Sequence, residues 1–177
     1  MELPREIITK SGIRYEHNTI YGPVRAGGVI IYSYKSGHIK LLLQQKNSRF
    51  EDMGGKIDKD DIDINATISR EMFEEFKIIP LSKCIELING PHDTIYIPNG
   101  KYLLYLIENK EISDIPLKAY GKYEDGKART IHWVNSMGHK NIFLHPRLHI
   151  IRKQLTDFFT EKTDSYMIHQ MSQIKID

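Results

Sequence analysis

The stretch GGKIDKDDIDINATISREMFEEFKI, residues 54–78, determines the predicted fold of this 177-residue chain. It begins with two glycines and ends in a helix-like segment in which Glu71, Glu74 and Glu75 crowd together. Residues three and four apart are neighbours on a helix surface, so Glu71 faces both of the other glutamates. Like charges at that spacing destabilise an isolated helix by roughly 0.2–0.5 kcal/mol per pair. The cluster therefore needs an offsetting positive charge or full exposure to water.

The segment that carries these glutamates has the pattern of an amphipathic helix. Asp63 or Asn65 is a candidate N-cap, because short polar side chains accept hydrogen bonds from the first backbone N–H groups. Apolar side chains recur every four residues, at Ile68, Met72 and Phe76. We expect Phe73 to widen this apolar stripe. The helix can then cover a sheet with one side and present its glutamates on another.

A divalent cation would neutralise the glutamate cluster. Carboxylates, backbone carbonyls and water are the ligands that Mg²⁺ and Mn²⁺ prefer. Gly54 and Gly55 follow a strand-like segment, where glycine lets the backbone approach a ligand closely. Arg70 can orient one of the carboxylates. The alternative is an ordinary solvated acidic face on a surface helix.

The rest of the chain predicts strands before and after this helix. AGGVIIYSYKSGHIKLLLQQ, residues 26–45, and DTIYIPNGKYLLYLIEN, residues 93–109, have hairpin patterns with turns at Ser36-Gly37 and Asn99-Gly100. RTIHWV, residues 129–134, is a further strand, and PRLHIIRKQLTDFF, residues 146–159, is a second amphipathic helix that starts at Pro146. The predicted fold class is α/β, or α+β layered: a mixed sheet sandwiched between helices.

Composition sets limits on the class of protein. The chain is 40% hydrophobic and 27% charged, with a formal net charge of +2, as in ordinary globular proteins. We expect one domain over residues 1–177, with a core at about 22–160 and a tail of uncertain order at 161–177. The single cysteine, Cys84, excludes an intramolecular disulfide. No apolar run is long enough for a membrane span, and the start lacks a signal-peptide pattern, so we expect a cytoplasmic protein without a membrane partner.

The 54–78 stretch resembles the signature of the Nudix hydrolases, G-x5-E-x7-R-E-U-x-E-E-x-G-U, where U is aliphatic. Gly55 and Asp61 match its first half, and the second half matches at Arg70, Glu71, Met72, Glu74, Glu75 and Ile78. The likeness extends to residues 25–45, 129–137 and 145–155. There are three departures: Asp61 replaces a glutamate, eight residues rather than seven precede Arg70, and Lys77 replaces a glycine.

The resemblance implies a Nudix-like sandwich and hydrolysis of a diphosphate joined to some other group. It assigns Glu71, Glu74, Glu75 and the carbonyl of Gly54 to one or more Mg²⁺ or Mn²⁺ ions, with Arg70 among the catalytic residues. Candidate substrate-binding residues are Gly55, Lys56, Lys46 and Arg49, although each cation is also explained as ordinary surface charge. Many family members add a glutamate from a later loop, and the candidates here are Glu108, Glu111, Glu124 and Asp125.

Three functions remain open at this stage. The first is a pyrophosphohydrolase that acts on a free nucleoside diphosphate derivative. The second is an mRNA-decapping enzyme, because GKIDKDDIDI is similar to the opening of the box in that group. Such an enzyme needs a basic track for RNA. The candidates are Arg147, Arg152 and Lys153 in the last helix, with Lys118, Lys122, Lys127 and Arg129 before it, although scattered surface charge explains them equally well. The third is a Nudix fold kept as a binding or regulatory module. A homodimer is possible in each case.

Aromatic residues offer a further way to hold a nucleotide. Bases stack on aromatic faces in many nucleotide-binding proteins. The candidates are Phe50, Tyr96, Tyr102 and Tyr105. Alternating aromatic residues in a hairpin are also explained by core packing and cross-strand pairs.

Overall fold

The computed structural model of the chain describes residues 2–77, 79–112, 121–122, 128–136 and 143–173. A small N-terminal sheet consists of β1 (Arg5–Thr9), β2 (Gly12–Thr19) and β3 (Gly22–Val24). The main sheet contains β4 (Ala26–Lys35), β5 (His38–Lys46), β6 (Arg49–Glu51), β7 (Met53–Lys56), β8 (Asp93–Ile97), β9 (Tyr102–Glu108), β10 (Gly121–Lys122) and β11 (Ala128–Asn135). The helices are α1 (Ile64–Glu75), α2 (Leu81–Asn89), α3 (Pro146–Ile150) and α4 (Arg152–Ser172). None of these helices is long and apolar enough to cross a membrane.

The main sheet is mixed. Its strands lie in the order β10-β11-β5-β4-β9-β8, and the pairing of β4 with β9 is parallel while the neighbouring pairings are antiparallel. Consecutive strands β6 and β7 pair with β5 and β4, respectively. Gly54 therefore lies within the sheet, opposite Gly28 of β4.

Helices cover both faces of this sheet, because alternate residues of a strand point to opposite faces. On one face Val29 and Ile31 of β4 share a hydrophobic cluster with α1 and α2. On the other face Ile30 and Tyr32 share a cluster with α3 and α4. The predicted fold class, a mixed sheet sandwiched between helices, is confirmed.

Both predicted hairpins are present. The first turns at Ser36 and Gly37, which have positive φ values of 54° and 82°. The second differs in detail, because β8 and β9 are joined by the four residues 98–101 rather than by a two-residue Asn-Gly turn. Pro98 begins this loop and has no N–H for a ladder hydrogen bond, which is consistent with β8 ending at Ile97.

The glutamate helix begins as predicted. Asp63 is the N-cap of α1, and its Oδ1 accepts a 2.7 Å hydrogen bond from the N–H of Ala66. The apolar positions predicted at Ile68, Met72 and Phe76 are buried. The expectation that Phe73 widens the stripe is wrong, because its side chain is 38% exposed. One residue turns a helix by about 100°, which takes Phe73 away from the face of Met72.

The C-terminal region is more helical than the sequence pattern indicates. Pro146 starts a helix as predicted, but a break at Ile151 separates α3 from α4. The expected tail is helical as far as Ser172. Tyr166 explains part of this difference, because its ring stacks on Tyr34 of β4 at 4.5 Å. Such a contact between distant segments leaves no periodic trace in the sequence.

Helix α2, the strands of the N-terminal sheet and the short strand β10 have no counterpart in the sequence prediction. The buried carboxylate of Glu16 anchors the N-terminal sheet, because it accepts hydrogen bonds from Arg5 at 2.7 Å and from Arg25 at 2.8 Å. His17 Nε2 also lies 2.9 Å from the carbonyl oxygen of Asp61, in the loop before α1. The N-terminal sheet thus supports the loop that leads into the glutamate helix.

Candidate active site

The glycine pair of β7 lies directly beneath helix α1. A Cβ atom added to Gly55 would overlap the carboxyl group of Glu71, so only glycine allows this close approach. Gly54 is equally confined, because a Cβ there would overlap the backbone of Gly27 and Gly28. The sequence motif therefore corresponds to a real contact between the glutamate helix and the sheet.

Glu75 reaches the same glycine pair from the next turn of α1. Its Oε2 accepts hydrogen bonds from the Gly54 N–H at 2.9 Å and from Gln44 Nε2 at 2.6 Å. Its Oε1 accepts a 2.7 Å hydrogen bond from Arg129 of β11. Burial raises the pKa of Glu75 to about 8, even though Arg129 favours the ionised form. The sequence gives no sign of Gln44 at this site, and it indicates Arg129 only as a candidate for an RNA track, because both residues lie on strands far from Glu75 along the chain.

Arg70 is held in a bidentate ion pair with Asp61. Its Nε donates to Asp61 Oδ1 at 3.1 Å and its Nη2 donates to Asp61 Oδ2 at 2.8 Å. The other side of the guanidinium donates from Nη1 to Glu71 Oε1 at 2.9 Å. Asp61 therefore holds Arg70, and Arg70 in turn holds Glu71. Asp61 has a side chain one carbon shorter than the glutamate of the signature, and the loop between it and Arg70 is one residue longer. The ion pair with Arg70 forms nevertheless.

Asp61 is fixed from two further directions. Its Oδ2 accepts hydrogen bonds from the Asp58 N–H and from the Thr67 hydroxyl, each at 2.8 Å. Burial by itself would raise the pKa of Asp61, but the hydrogen bonds from Arg70, Asp58 and Thr67 outweigh it and hold the pKa below its ordinary value. Asp61 is consequently a stable anion that orients Arg70.

The other two glutamates of the cluster differ in exposure. Burial raises the pKa of Glu71, and the nearby charge of Glu74 acts in the same direction. The side chain of Glu74 is 53% exposed, and its Oε1 lies 3.5 Å from Arg70 Nη1. The three carboxylates thus repel one another across a single helix face, as the sequence spacing indicates.

The predicted phosphate-binding cations occupy two separate places. Lys56 follows the glycine pair and its side chain is exposed, while its carbonyl oxygen accepts a 3.0 Å hydrogen bond from Arg70 Nη2. Lys46 and Arg49 lie at the β5–β6 turn, where they line a pocket of about 370 Å³ together with Glu51 and His145.

Two of the candidate downstream acids lie far from the glycine pair. Tyr102 begins β9 beside Asp52, and Glu108 ends the same strand six residues later, roughly 20 Å away. Glu111 is beyond that end and its Oε2 lies 3.2 Å from Lys83 Nζ. The prediction that Glu108 or Glu111 completes the metal site is therefore wrong. Glu124 and Asp125, together with Ile78 of the signature, lie outside the described residues.

A buried ionic network supports the strand just before the glycines. The carboxylate of Asp52 is inaccessible to solvent and accepts hydrogen bonds from the Tyr102 hydroxyl and, at 2.8 Å, from Arg147 Nε. The Arg147 guanidinium also lies over the Tyr102 ring, 4.9 Å from its centre. Tyr102 is therefore a core residue rather than a stacking surface, and Arg147 is a structural cation rather than part of an RNA track.

The other three candidate stacking residues also have partners within the protein. The Tyr105 hydroxyl donates to Asn65 at 2.6 Å, and the Tyr96 hydroxyl donates to the carbonyl of Pro23 at 2.8 Å. Phe50 packs edge-on against the ring of His132. The core-packing explanation of these aromatic residues is the better one.

A divalent cation fits the donor chemistry of this site, although no preformed cage is present. Within the part of the chain that the structure describes, no group of three His, Cys, Asp or Glu side chains is arranged to hold a metal ion. Glu71 and Glu75 nevertheless converge on one glycine pair, where their carboxylate oxygens lie beside the backbone. An all-oxygen set of this kind suits Mg²⁺ or Mn²⁺. In the described conformation Arg70 and Arg129 supply the positive charge instead.

Solved structures resemble this chain, whereas sequence comparisons find no match. No protein-family model matches the sequence, and no curated protein matches it either. A candidate NUDIX hydrolase from Listeria monocytogenes matches with a TM-score of 0.51 at 11% identity, over 80% of this chain and 95% of that one. This chain has the Nudix fold. Within that Nudix fold, residues 54–78 form the strand, loop and helix described above.

Two further Nudix structures match less well. The Caenorhabditis elegans Ap4A hydrolase, solved as a binary complex, has a TM-score of 0.49 at 20% identity, over 77% of this chain and 99% of that chain. The NUDIX domain of Shewanella oneidensis NrtR, solved with ADP ribose, has a TM-score of 0.47 at 14% identity, over 78% and 87%.

Proposed function

We propose that the protein is a metal-dependent Nudix pyrophosphohydrolase that cleaves the diphosphate of a nucleoside diphosphate linked to another moiety. The observation that carries this proposal is the meeting of Glu71 and Glu75 at the Gly54-Gly55 pair. Two carboxylates of raised pKa and an open backbone are brought to one point of the Nudix fold. Neighbouring carboxylates with shifted pKa values are typical of catalytic sites.

Glu71, Glu74, Glu75 and the Gly54 carbonyl would hold Mg²⁺ or Mn²⁺. When bound, such an ion neutralises charge on the phosphoryl oxygens and lowers the pKa of a water molecule. Ionisation of Glu75 near neutral pH is unfavourable in the described conformation, because burial raises its pKa to about 8. A bound cation would offset that cost. Metal binding would then explain both why the three glutamates are clustered and how their mutual repulsion is offset.

The other residues of the site orient the reacting groups. Asp61 fixes Arg70, and Arg70 directs the Glu71 carboxylate toward the glycines. Gly55 leaves room for the Glu71 carboxylate because it has no side chain. Lys56, at the end of β7, and the cations of the β5–β6 turn can neutralise phosphates that extend away from the reacting bond.

A substrate screen with two variants tests the proposal. Nucleoside triphosphates, nucleotide sugars, ADP-ribose, dinucleoside polyphosphates, diphosphoinositols and capped RNA are incubated with Mg²⁺ or Mn²⁺. We expect turnover of at least one free nucleotide, and loss of that turnover in Glu74→Gln and in Glu75→Gln. Glu86→Gln, on the exposed side of α2, is the matched control and should retain activity. Full activity of both site variants would overturn the metal assignment.

One observation favours a second candidate, a binding module. Arg129 and Arg70 already form ion pairs with Glu75 and Glu71, so these two carboxylates have cationic partners within the protein. A module of this kind would bind a diphosphate ligand without hydrolysing it. Good affinity together with no turnover of any diphosphate in the screen would select this candidate over the hydrolase.

The contacts favour a free nucleotide over capped RNA. Arg147 is used by Asp52 inside the fold, and Lys153 forms a 2.9 Å ion pair with Asp157 on the same helix. Arg147 is therefore not part of the basic track that an RNA strand needs, and Asp157 offsets the charge of Lys153 on the surface of α4. Hydrolysis of capped RNA in preference to every free nucleotide would contradict this part of the proposal.

A further inference from the structure

A pocket beside the candidate active site lies between the β5–β6 turn and the start of α3. We propose that this turn pocket binds the nucleoside part of a free nucleotide, with the base against Phe143 and a phosphate at Arg49. The inference rests on the proposed function, because it locates the group that flanks the reacting diphosphate. None of the sequence motifs pointed to Phe143.

The turn pocket consists of two neighbouring hollows that share the lining residues Asn47 and Arg49. The larger, about 450 Å³, has apolar walls, whereas the smaller, about 370 Å³, has charged ones. The apolar walls are Phe143, Leu144, Pro146 and Ile150. The charged walls are Lys46, Arg49 and Glu51, with His145 beside them. A nucleotide has two matching parts: a planar base that can contact apolar walls and an anionic phosphate that can contact cations.

The aromatic wall is held in place by backbone hydrogen bonds. The Phe50 N–H donates to the Phe143 carbonyl at 2.7 Å, and the His145 N–H donates to the Phe50 carbonyl at 2.9 Å. These bonds fix residues 143–145 along the edge of β6. The Phe143 side chain is nevertheless 77% exposed, and Ile150 opposite the same hollow is 65% exposed. An anchored, exposed phenyl ring offers a stacking surface at low entropic cost.

The charged wall contains two cations placed directly opposite each other. Lys46 and Arg49 face across a two-residue turn, in which Asn47 and Ser48 have positive φ values of 51° and 64°. Like charges opposed in this way destabilise a hairpin. The Arg49 guanidinium makes no hydrogen bond or ion pair with any other residue that the structure describes. A bound phosphate would relieve the repulsion and give Arg49 a partner.

The turn pocket is linked to the candidate active site through strands β5 and β6. Glu51 lines the pocket and is paired across the strands with Gln44. Gln44 Nε2 in turn donates to the Glu75 carboxylate at 2.6 Å. Gln44 of β5 thus lies between a wall of the pocket and the glutamate cluster, which is why we place two parts of one substrate at these neighbouring positions.

Nucleotide binding without metal tests the inference. EDTA-treated protein is titrated with AMP, GMP, CMP and UMP and with the corresponding nucleosides, by NMR or calorimetry. We expect Phe143→Ala to weaken the binding of both nucleotide and nucleoside about tenfold, because a stacked base loses its platform. Phe143→Trp should retain binding. Arg49→Ala should weaken the nucleotide and leave the nucleoside unchanged.

Two substitutions in the N-terminal part of the chain, away from the turn pocket, serve as controls for this test. Tyr21→Ala removes an aromatic ring that is 46% exposed in the turn between β2 and β3, and Arg14→Ala removes a cation from β2. Neither substitution should alter nucleotide binding. Nucleotide affinity that is unchanged in Phe143→Ala would overturn the inference. Binding of long RNA strands alone, with steep salt dependence, would also overturn it.

The outcome is separable from that of the proposed function. Hydrolysis with Mg²⁺, together with nucleotide binding that does not depend on Phe143, would contradict the assignment of the turn pocket and support the proposed hydrolase activity. Nucleotide binding that depends on Phe143, together with no hydrolysis in any condition, would contradict the proposed hydrolase activity and support the assignment of the turn pocket.

Discussion

The Arg129 guanidinium of β11 donates a 2.7 Å hydrogen bond to Glu75 of α1, and both side chains are largely buried. This ion pair holds the central glutamate of the cluster against the sheet. A buried pair of this kind costs desolvation, so its main effect is that neither partner can be removed alone without penalty. The pair therefore connects the stability of the fold with the charge state of the candidate site.

Arg129→Met should destabilise the metal-free protein more at high pH than at low pH. The substitution leaves Glu75 buried without its cation, which costs about 3 kcal/mol while the carboxylate is ionised. At pH 6 Glu75 can take up a proton, so the loss should be clearly smaller than at pH 9. Urea denaturation at both pH values measures this difference. Lys153→Met removes half of an exposed pair and should cost less than about 1 kcal/mol; an Arg129 effect as small as this control would argue against the pair.

The stability of the metal-free protein should fall as pH rises from about 5 to about 9. The pKa of Glu75 is raised in the folded state to about 8, so the folded protein holds a proton that the unfolded chain has lost in this range. Folding then becomes less favourable with each increase in pH until the folded pKa is passed. Glu71 and Glu51 have pKa values raised in the same direction by burial.

Thermal unfolding in EDTA across this range measures the slope. Glu75→Gln should flatten it in part, because the two other glutamates still titrate. Added Mg²⁺ should also reduce the fall in the wild-type protein, since a cation binds the ionised form. Identical slopes for wild type and Glu75→Gln would rule out the assigned pKa shift.

Asp61→Asn should lower activity without unfolding the protein. The amide removes the charge from the bidentate contact with Arg70, so Arg70 no longer holds Glu71 firmly. Loss of such an orienting partner typically costs roughly 10–100-fold in metal affinity or activity. Asp61→Glu restores the carboxylate and should recover most of the rate. Steady-state kinetics at varied Mg²⁺ checks both variants, and equal rates for Asn and Glu would contradict an orienting role.

Two glycine substitutions should have opposite kinds of effect. In Gly55→Ala the new methyl group meets the end of the flexible Glu71 side chain, which can move aside. We expect a folded protein whose turnover falls by about 100-fold or more, since displacing a metal ligand costs several kcal/mol. In Gly28→Ala the methyl group meets buried Asp52, Tyr102 and the backbone of Met53. Circular dichroism should find this second variant unfolded or strongly destabilised, and a stable Gly28→Ala protein would contradict the packing described here.

Local patterns in the sequence determined the elements whose signals lie within a few residues. The Ser36-Gly37 hairpin, the Asp63 cap and the buried stripe of α1 are set by backbone sterics and by apolar periodicity, which act over one or two turns of chain. The spacing of Glu71, Glu74 and Glu75 likewise follows from helix geometry alone. For that reason the sequence alone predicts the fold class and the glutamate cluster.

Only the tertiary structure decided which partners those residues have. Arg129 reaches Glu75 across 54 positions of sequence, and Arg147 reaches Asp52 across 95. Such pairings depend on which strands and helices become neighbours, and no local period encodes that choice. The helical course of residues 161–172 and the exposed ring of Phe143 belong to the same class. The sequence by itself determined the chemistry of the glutamate helix, whereas packing between distant segments decided the protonation of Glu75 and the surroundings of the site.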